Sequence, residues 1–229
     1  VAVGSAMRKE DVLCPDYRAY GAQIQRGVKL SEILTYWGGD ERGSAFVDNQ
    51  EDFPISVPIG TQTLHAAGVA VAMKYRKQPR VALSLCGDGG TSEGDFYEAI
   101  NLAGAWKLPV VFVINNNQWA ISVSRKSQTA TKTLAQKAIA GGFEGIQVDG
   151  NDIIALHTTL EEALEKARTG KGPTLIEAVT YRLCDHTTAD DANRYRDIEE
   201  LKNAWEEEPI KRLRNYLAEK GFWSPSQEE

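Results

Sequence analysis

Two short apolar runs, VALSLC at residues 81–86 and VVFVI at 110–114, constrain the fold of this chain more than any other feature. Neither is interrupted by a charged residue, as befits strands covered on both faces, and they lie too far apart for a hairpin. Between them, after the turn GDGG, Phe96, Ala99, Ile100 and Ala103 recur at helical spacing, and Pro109 precedes the second run. Strand, helix and strand in this order form a parallel βαβ unit. Residues 61–77 predict another helix, with Leu64, Ala67, Gly68, Val71, Ala72 and Tyr75 on its apolar face and Pro79 as its stop. GIQVDG reads as a further strand, residues 152–168 as a helix, and TLIEAVTY as a strand. Short connections and right-handed crossovers then favour one α/β domain over residues 1–229, with a mainly parallel sheet and helices on both faces. A last amphipathic helix carries Ile210, Leu213 and Leu217 before the polar tail SPSQEE. Trp106, Phe112 and Phe143 read as core, and His65 and His157 as structural or exposed. Residues 37–58 and 184–196 are polar, rich in Gly or Asp, and long for structureless loops, a combination often tied to function.

Composition excludes several classes. No apolar run approaches the roughly 20 residues needed to cross a bilayer. The net charge of −6 arises from mixed acids and bases without a basic stripe, which argues against nucleic acid and does not favour an anionic membrane. Cys14, Cys86 and Cys184 are too scattered for a disulfide framework or a zinc knuckle, so a reducing compartment fits: cytoplasm, or mitochondrial matrix after removal of a transit peptide. Val3, Ala6 and Met7 already share a helical face, so the start is expected to be truncated or processed.

The chemistry concentrates where the two runs end. Asp88 follows the first and Asn117 the second, 29 residues later, so parallel strands bring an acid and an amide to one sheet edge. Hard oxygen donors suit Mg²⁺ or Ca²⁺ better than zinc, and Mg²⁺ characteristically completes its shell with phosphate oxygens. Gly87, Gly89 and Gly90 would let a diphosphate approach the backbone, and the helix starting near Gly94 would aim its amides at it. Alone, GDG is only a tight strand-to-helix turn; the second strand end, NN, with a helix between, raises it to a candidate metal-diphosphate site.

GDG followed by NN at this spacing resembles the thiamine diphosphate motif, and GGTSEGDFYEAINLAGAWKLPVVFVINNNQWAIS resembles the alpha subunits of 2-oxo acid dehydrogenases, pyruvate dehydrogenase above all. The resemblance runs through DYRAYG, VPIGTQTLHAAGVAVAMKY and YRLCDHTTADDANRYR, nearly the whole chain. It implies the phosphate-side thiamine diphosphate-binding domain, with Mg²⁺ held by Asp88, the Asn117 side chain and the Trp119 carbonyl. It further implies diphosphate contacts from Gly89, Gly90, Tyr17 and Arg18, a cofactor bend propped by Ile59, and a backbone contact to the aminopyrimidine at Val57. His186 is implied as the catalytic residue at the active-site mouth. From pattern alone, Arg18 reads as a surface ion pair, Ile59 as core and His186 as a solvated loop residue. Thr187 falls where some relatives carry a phosphorylatable Ser and reads here as an ordinary hydroxyl; Asn115 falls at a variable polar position that bears on substrate choice.

The family pattern also implies what is missing: residues before Val1, and a glutamate that ionises the cofactor from a beta subunit. The expected assembly is two alpha and two beta chains that decarboxylate a 2-oxo acid oxidatively and pass the acyl group to the lipoyl arm of an acyltransferase. Pyruvate is the expected substrate on overall likeness, with branched-chain 2-oxo acids or acetoin as alternatives. A nicotinamide-dependent dehydrogenase is less favoured, because GDGGTSEG lacks the G-x-G-x-x-G spacing. A non-catalytic scaffold would have no reason to bring Asp88 and Asn117 to one edge.

Overall fold

The computed structural model describes residues 1–228. Its sheet contains β1 (Val12–Cys14), β2 (Ala82–Gly87), β3 (Val110–Asn116), β6 (Glu144–Asp149) and β7 (Thr174–Val179), in the order β1-β2-β3-β7-β6. All neighbouring strands are parallel, as the two apolar runs predict. A separate two-stranded hairpin pairs β4 (Trp119–Ala120) with β5 (Val123–Ser124).

Helices cover both faces because β3 is apolar on both. Val110, Phe112 and Ile114 face α4 (Thr61–Tyr75), α5 (Gly94–Ala105) and α7 (Ala138–Gly141), while Val111 and Val113 face α1 (Ala2–Ala6), α2 (Tyr20–Gln25) and α8 (Ile153–Arg168). The four apolar positions predicted for α5 are all fully buried. Asp152 caps α8 by accepting the amides of Ile154 and Ala155. The remaining helices are α3 (Leu30–Trp37), α6 (Arg125–Gln128), α9 (Ile198–Glu206), α10 (Pro209–Glu219) and α11 (Pro225–Glu228). No described helix is long and apolar enough to cross a membrane, and all three cysteines are free.

Three sequence expectations need correction. Helix α4 buries Thr63, Ala66, Ala67, Ala70 and Met73; of the predicted stripe Ala67 is buried and Leu64 and Val71 are half-buried against the core, while Gly68 and Ala72 are exposed and Tyr75 is 88% exposed. The segment is apolar nearly all round, so periodicity did not fix its face; the small residues go inward because they let the helix approach the sheet closely. Trp106 is 56% exposed rather than core, since it ends α5 where the chain turns through Lys107 at a φ of 46°. The predicted last helix exists as α10, but Ile210 is exposed and Leu213 and Leu217 are only half-buried.

Candidate active site

Asp88 follows β2 directly and is 2% exposed at the carboxyl edge of the sheet. The Thr91 amide and hydroxyl both donate to its carbonyl, at 3.2 and 2.7 Å. The buried ammonium of Lys137 in turn donates to the Thr91 carbonyl at 2.6 Å and to Thr91 Oγ1 at 2.9 Å. Lys137 thus holds the turn that presents Asp88. It forms no ion pair among the described residues, and its charge lies instead near the rings of Phe96 and Tyr97, at 5.9 and 5.1 Å from their centroids.

The Asp88 carboxylate accepts a bond from Gln128 Nε2 at 3.0 Å and has no ion-pair partner among the described residues. Burial pushes its carboxyl above the ordinary carboxylate range, opposed by the Gln128 amide, the backbone amides of Asp88 and Gly89, and the charge of Arg182. A buried acid without a contacting cation is costly, and a metal ion bound at this edge would relieve that cost.

Asn117 follows β3, the neighbour of β2, with Gly87 and Asn115 in register. The two strand ends are therefore adjacent, as their spacing predicts. Asn117 Oδ1 accepts the Trp119 amide at 3.0 Å, so the side chain folds over its own loop; among the described residues no hydrogen bond joins it to Asp88. The preceding Asn116 points into the core, where Nδ2 donates to Glu177 at 2.7 Å. Gln118 and Ile121, with φ of 72° and 54°, turn the chain sharply into the β4–β5 hairpin. The Trp119 ring packs on Tyr195, 5.5 Å between centroids.

The glycines differ in their reasons. A Cβ on Gly89 would stand 2.7 Å from the Ala120 Cβ, so Gly89 is required where the hairpin crosses the turn, independently of any ligand. Gly87 faces open space. A Cβ on Gly90 would meet Ile59 Cγ2 at 3.5 Å, which sets Ile59 over the turn. Ile59 and Val57 are 48% and 50% exposed, so Ile59 is not the core residue that pattern alone gives. Their segment pairs with the first loop through a parallel bridge between Ser56 and Asp16.

That first loop carries Tyr17 and Arg18. Arg18 stacks on the Tyr17 ring, 4.7 Å from its centroid, donates to the Tyr17 hydroxyl at 2.9 Å, and donates to the His186 carbonyl at 2.6 Å. The structure therefore joins the Tyr-Arg pair to the histidine loop across 168 residues of sequence. His186 reaches this position because β7 neighbours β3: the Thr180 and Arg182 amides donate to the Asn116 and Asn117 carbonyls, at 2.9 and 3.1 Å. Its own amide donates to Asp190 at 2.8 Å. Burial, then the charges of Arg18 and Arg182, hold its imidazole below the usual histidine range against the opposing pull of Asp190.

Gln128, Lys137 and Arg182 were not singled out by sequence. Gln128 and Lys137 belong to no motif and have no distinguishing spacing. Arg182 lies in the YRLC stretch and links both loops, donating to the Ile121 carbonyl at 2.9 Å and the Tyr195 hydroxyl at 2.6 Å. Thr187 is exposed on the same loop.

Comparison with known proteins places this arrangement in a family. The family model described as dehydrogenase E1 component matches residues 1–229. The pyruvate dehydrogenase E1 component subunit alpha of Mycoplasma pneumoniae is 45% identical over 100% of this chain and 64% of its own length. The 3-methyl-2-oxobutanoate dehydrogenase subunit alpha of Mycobacterium tuberculosis is 47% identical over 100% of this chain and 62% of its own length. A third relative, the pyruvate dehydrogenase E1 component subunit alpha of Staphylococcus aureus, is 46% identical over 97% of this chain and 60% of its own length. The chain thus spans less than two thirds of these relatives.

Proposed function

From the premise that this chain belongs to the dehydrogenase E1 component family, we propose that it is the alpha subunit of a pyruvate dehydrogenase and binds thiamine diphosphate through Mg²⁺. The observation that carries this reading is Asp88, a buried carboxylate without an ion-pair partner among the described residues, at the end of β2 beside a glycine turn. Residues 1–229 serve as one domain covering the phosphate side of the cofactor. Asp88, the Asn117 side chain and the Trp119 carbonyl would hold the metal, and all are hard oxygen donors of the kind Mg²⁺ requires.

Gly89, Gly90, Tyr17 and Arg18 would hold the diphosphate, with Ile59 and Val57 against the rest of the cofactor. The fork of Arg18 suits phosphate oxygens, and its bond to the His186 carbonyl couples phosphate binding to the loop that bears the imidazole. When bound, thiamine diphosphate supplies the electron sink for decarboxylation of a 2-oxo acid. His186, kept neutral near pH 7 by burial and two arginines, can accept or donate a proton at a ring nitrogen. A beta chain would supply a glutamate toward the cofactor, in an assembly of two alpha and two beta chains. The acyl product passes to the lipoyl arm of an acyltransferase.

The test is calorimetric titration of thiamine diphosphate into this protein mixed with its beta chain, first with Mg²⁺ and then with EDTA. Binding that needs both metal and partner supports the reading; no binding in either condition overturns it. The mycobacterial relative, named for 3-methyl-2-oxobutanoate, favours a second reading in which the substrate is a branched-chain 2-oxo acid. Comparing kcat/KM for pyruvate and 3-methyl-2-oxobutanoate in the assembled enzyme separates the two.

A further inference from the structure

We propose that Gln128 is the positioning residue of the cation site, holding one oxygen of Asp88 so that the carboxylate meets the metal in a single fixed orientation. This inference rests on the metal reading above. The loop that follows Asn117 passes through the β4–β5 hairpin and returns in α6, whose last residue is Gln128. Its amide nitrogen donates to Asp88 Oδ2 at 3.0 Å and to the Val123 carbonyl at 3.3 Å. One side chain therefore ties the carboxylate to the same hairpin that carries Trp119. Its amide oxygen lies 3.5 Å from where a Cβ on Gly89 would stand, which lays the amide group across the glycine turn.

Chemistry explains why an amide suits this place. Gln128 is the only side chain that donates to the Asp88 carboxylate among the described residues, and it is neutral. An arginine or lysine there would cancel the charge that attracts the cation. An apolar side chain would leave the carboxylate with backbone amides alone and without a side-chain donor to fix its orientation. A neutral donor fixes the orientation, keeps the negative charge, and leaves Oδ1 without a side-chain hydrogen bond. Mg²⁺ is sensitive to such control because it demands near-ideal octahedral geometry, whereas Ca²⁺ accepts flexible and bidentate carboxylates. Residues that orient a ligand without touching the metal commonly change metal affinity by about 10- to 100-fold.

The experiment titrates Mg²⁺ and, separately, Ca²⁺ into the assembled protein with saturating thiamine diphosphate, read by calorimetry, for the native protein and for Gln128→Met, Gln128→Asn and Asp88→Asn. The metal-free unfolding midpoint of each variant is measured alongside. Gln128→Met keeps the length and removes the donor; Gln128→Asn keeps the donor and shortens its reach, so one folded variant suffices. The expected result is a loss of Mg²⁺ affinity of about 10- to 100-fold, a clearly smaller loss for Ca²⁺, and a little-changed metal-free midpoint. Unchanged Mg²⁺ affinity overturns the inference. Equal losses for both metals also overturn it, because they indicate a collapsed hairpin rather than a misaimed carboxylate. Metal-dependent binding that survives Asp88→Asn overturns the metal reading itself, a result distinct from an effect of Asp88→Asn with none of Gln128→Met.

Discussion

The two edges of one sheet bury acids on opposite terms. At the amino edge, just before β1, Asp11 is fully buried and saturated: it accepts the Arg8 and Val81 amides at 2.8 and 3.0 Å and a two-pronged Arg168 guanidinium at 2.8 and 2.9 Å. Asp52, beside β1, accepts the Leu13 amide at 2.8 Å and pairs with Arg26, Nε at 2.5 Å and Nη2 at 2.8 Å. At the carboxyl edge, Asp88 is buried just as thoroughly but meets a neutral amide instead of a guanidinium. The first edge uses its charges within the fold. The second leaves Asp88 without an ion-pair partner among the described residues, which fits the proposed binding of a cation at the strand carboxyl ends.

The largest expected effect tests the saturated edge. Arg168→Met strands Asp11 as a buried, unpaired charge and should lower stability by about 3–5 kcal/mol, read as a denaturant midpoint. A loss below about 1 kcal/mol, no more than a surface pair contributes, would break the contrast between the edges. Lys137→Met comes next, since it strips the donors from the Thr91 carbonyl and hydroxyl and should cost about 1–3 kcal/mol. Amide hydrogen exchange should accelerate in residues 88–92 while β1 and β2 keep their protection; uniform acceleration would mean that Lys137 serves the whole core rather than the turn.

Asp88→Asn should move stability the other way. Burial raises the Asp88 carboxyl in the folded state, so its ionised form is disfavoured there, and the metal-free protein loses stability as pH rises through that folded value. Removing the charge should therefore raise the metal-free midpoint near pH 7 by an amount of order 1 kcal/mol. The difference should vanish below the ordinary carboxylate range, where the aspartic acid is itself neutral. A destabilised Asp88→Asn at pH 7 would show that the carboxylate is satisfied from within after all, and that the edges do not differ.

Much of this contrast is legible in the sequence, though unevenly. The strands β2 and β3 announce themselves as uninterrupted apolar runs and the helix α5 by its periodic buried face, and the placement of Asp88 and Asn117 follows from parallel pairing. β1 does not, because VLC is only three residues long and its partners are tertiary. The face of α4 stays hidden because an apolar helix carries no periodicity to read. Gln128 and Lys137 are invisible for another reason: they look like solvated residues, and their roles come from contacts 40 and 46 residues away. Arg18 and His186 could be tied together only through the resemblance, since the fold, rather than any local pattern, brings them within hydrogen-bonding reach.

The smallest expected effect concerns the same carboxyl edge and sharpens the comparison from the basic side. His186 is held below the usual histidine range by burial and by Arg18 and Arg182. An imidazole depressed in the folded state contributes stability that is present above the ordinary value of about 6.5 and is lost as pH falls through the folded value. Because the side chain is partly solvated, the contribution should be about half a kcal/mol or less. His186→Asn should therefore flatten the decline in metal-free stability as pH falls below the ordinary histidine range, whereas Asp88→Asn should remove the gain in stability that sets in as pH falls through the raised folded value of Asp88. Opposite changes of slope would assign the acid response of this protein to the carboxyl edge of its sheet. Parallel changes, or none, would assign it elsewhere, because the arginines paired with Asp11 and Asp52 keep their charge throughout that range.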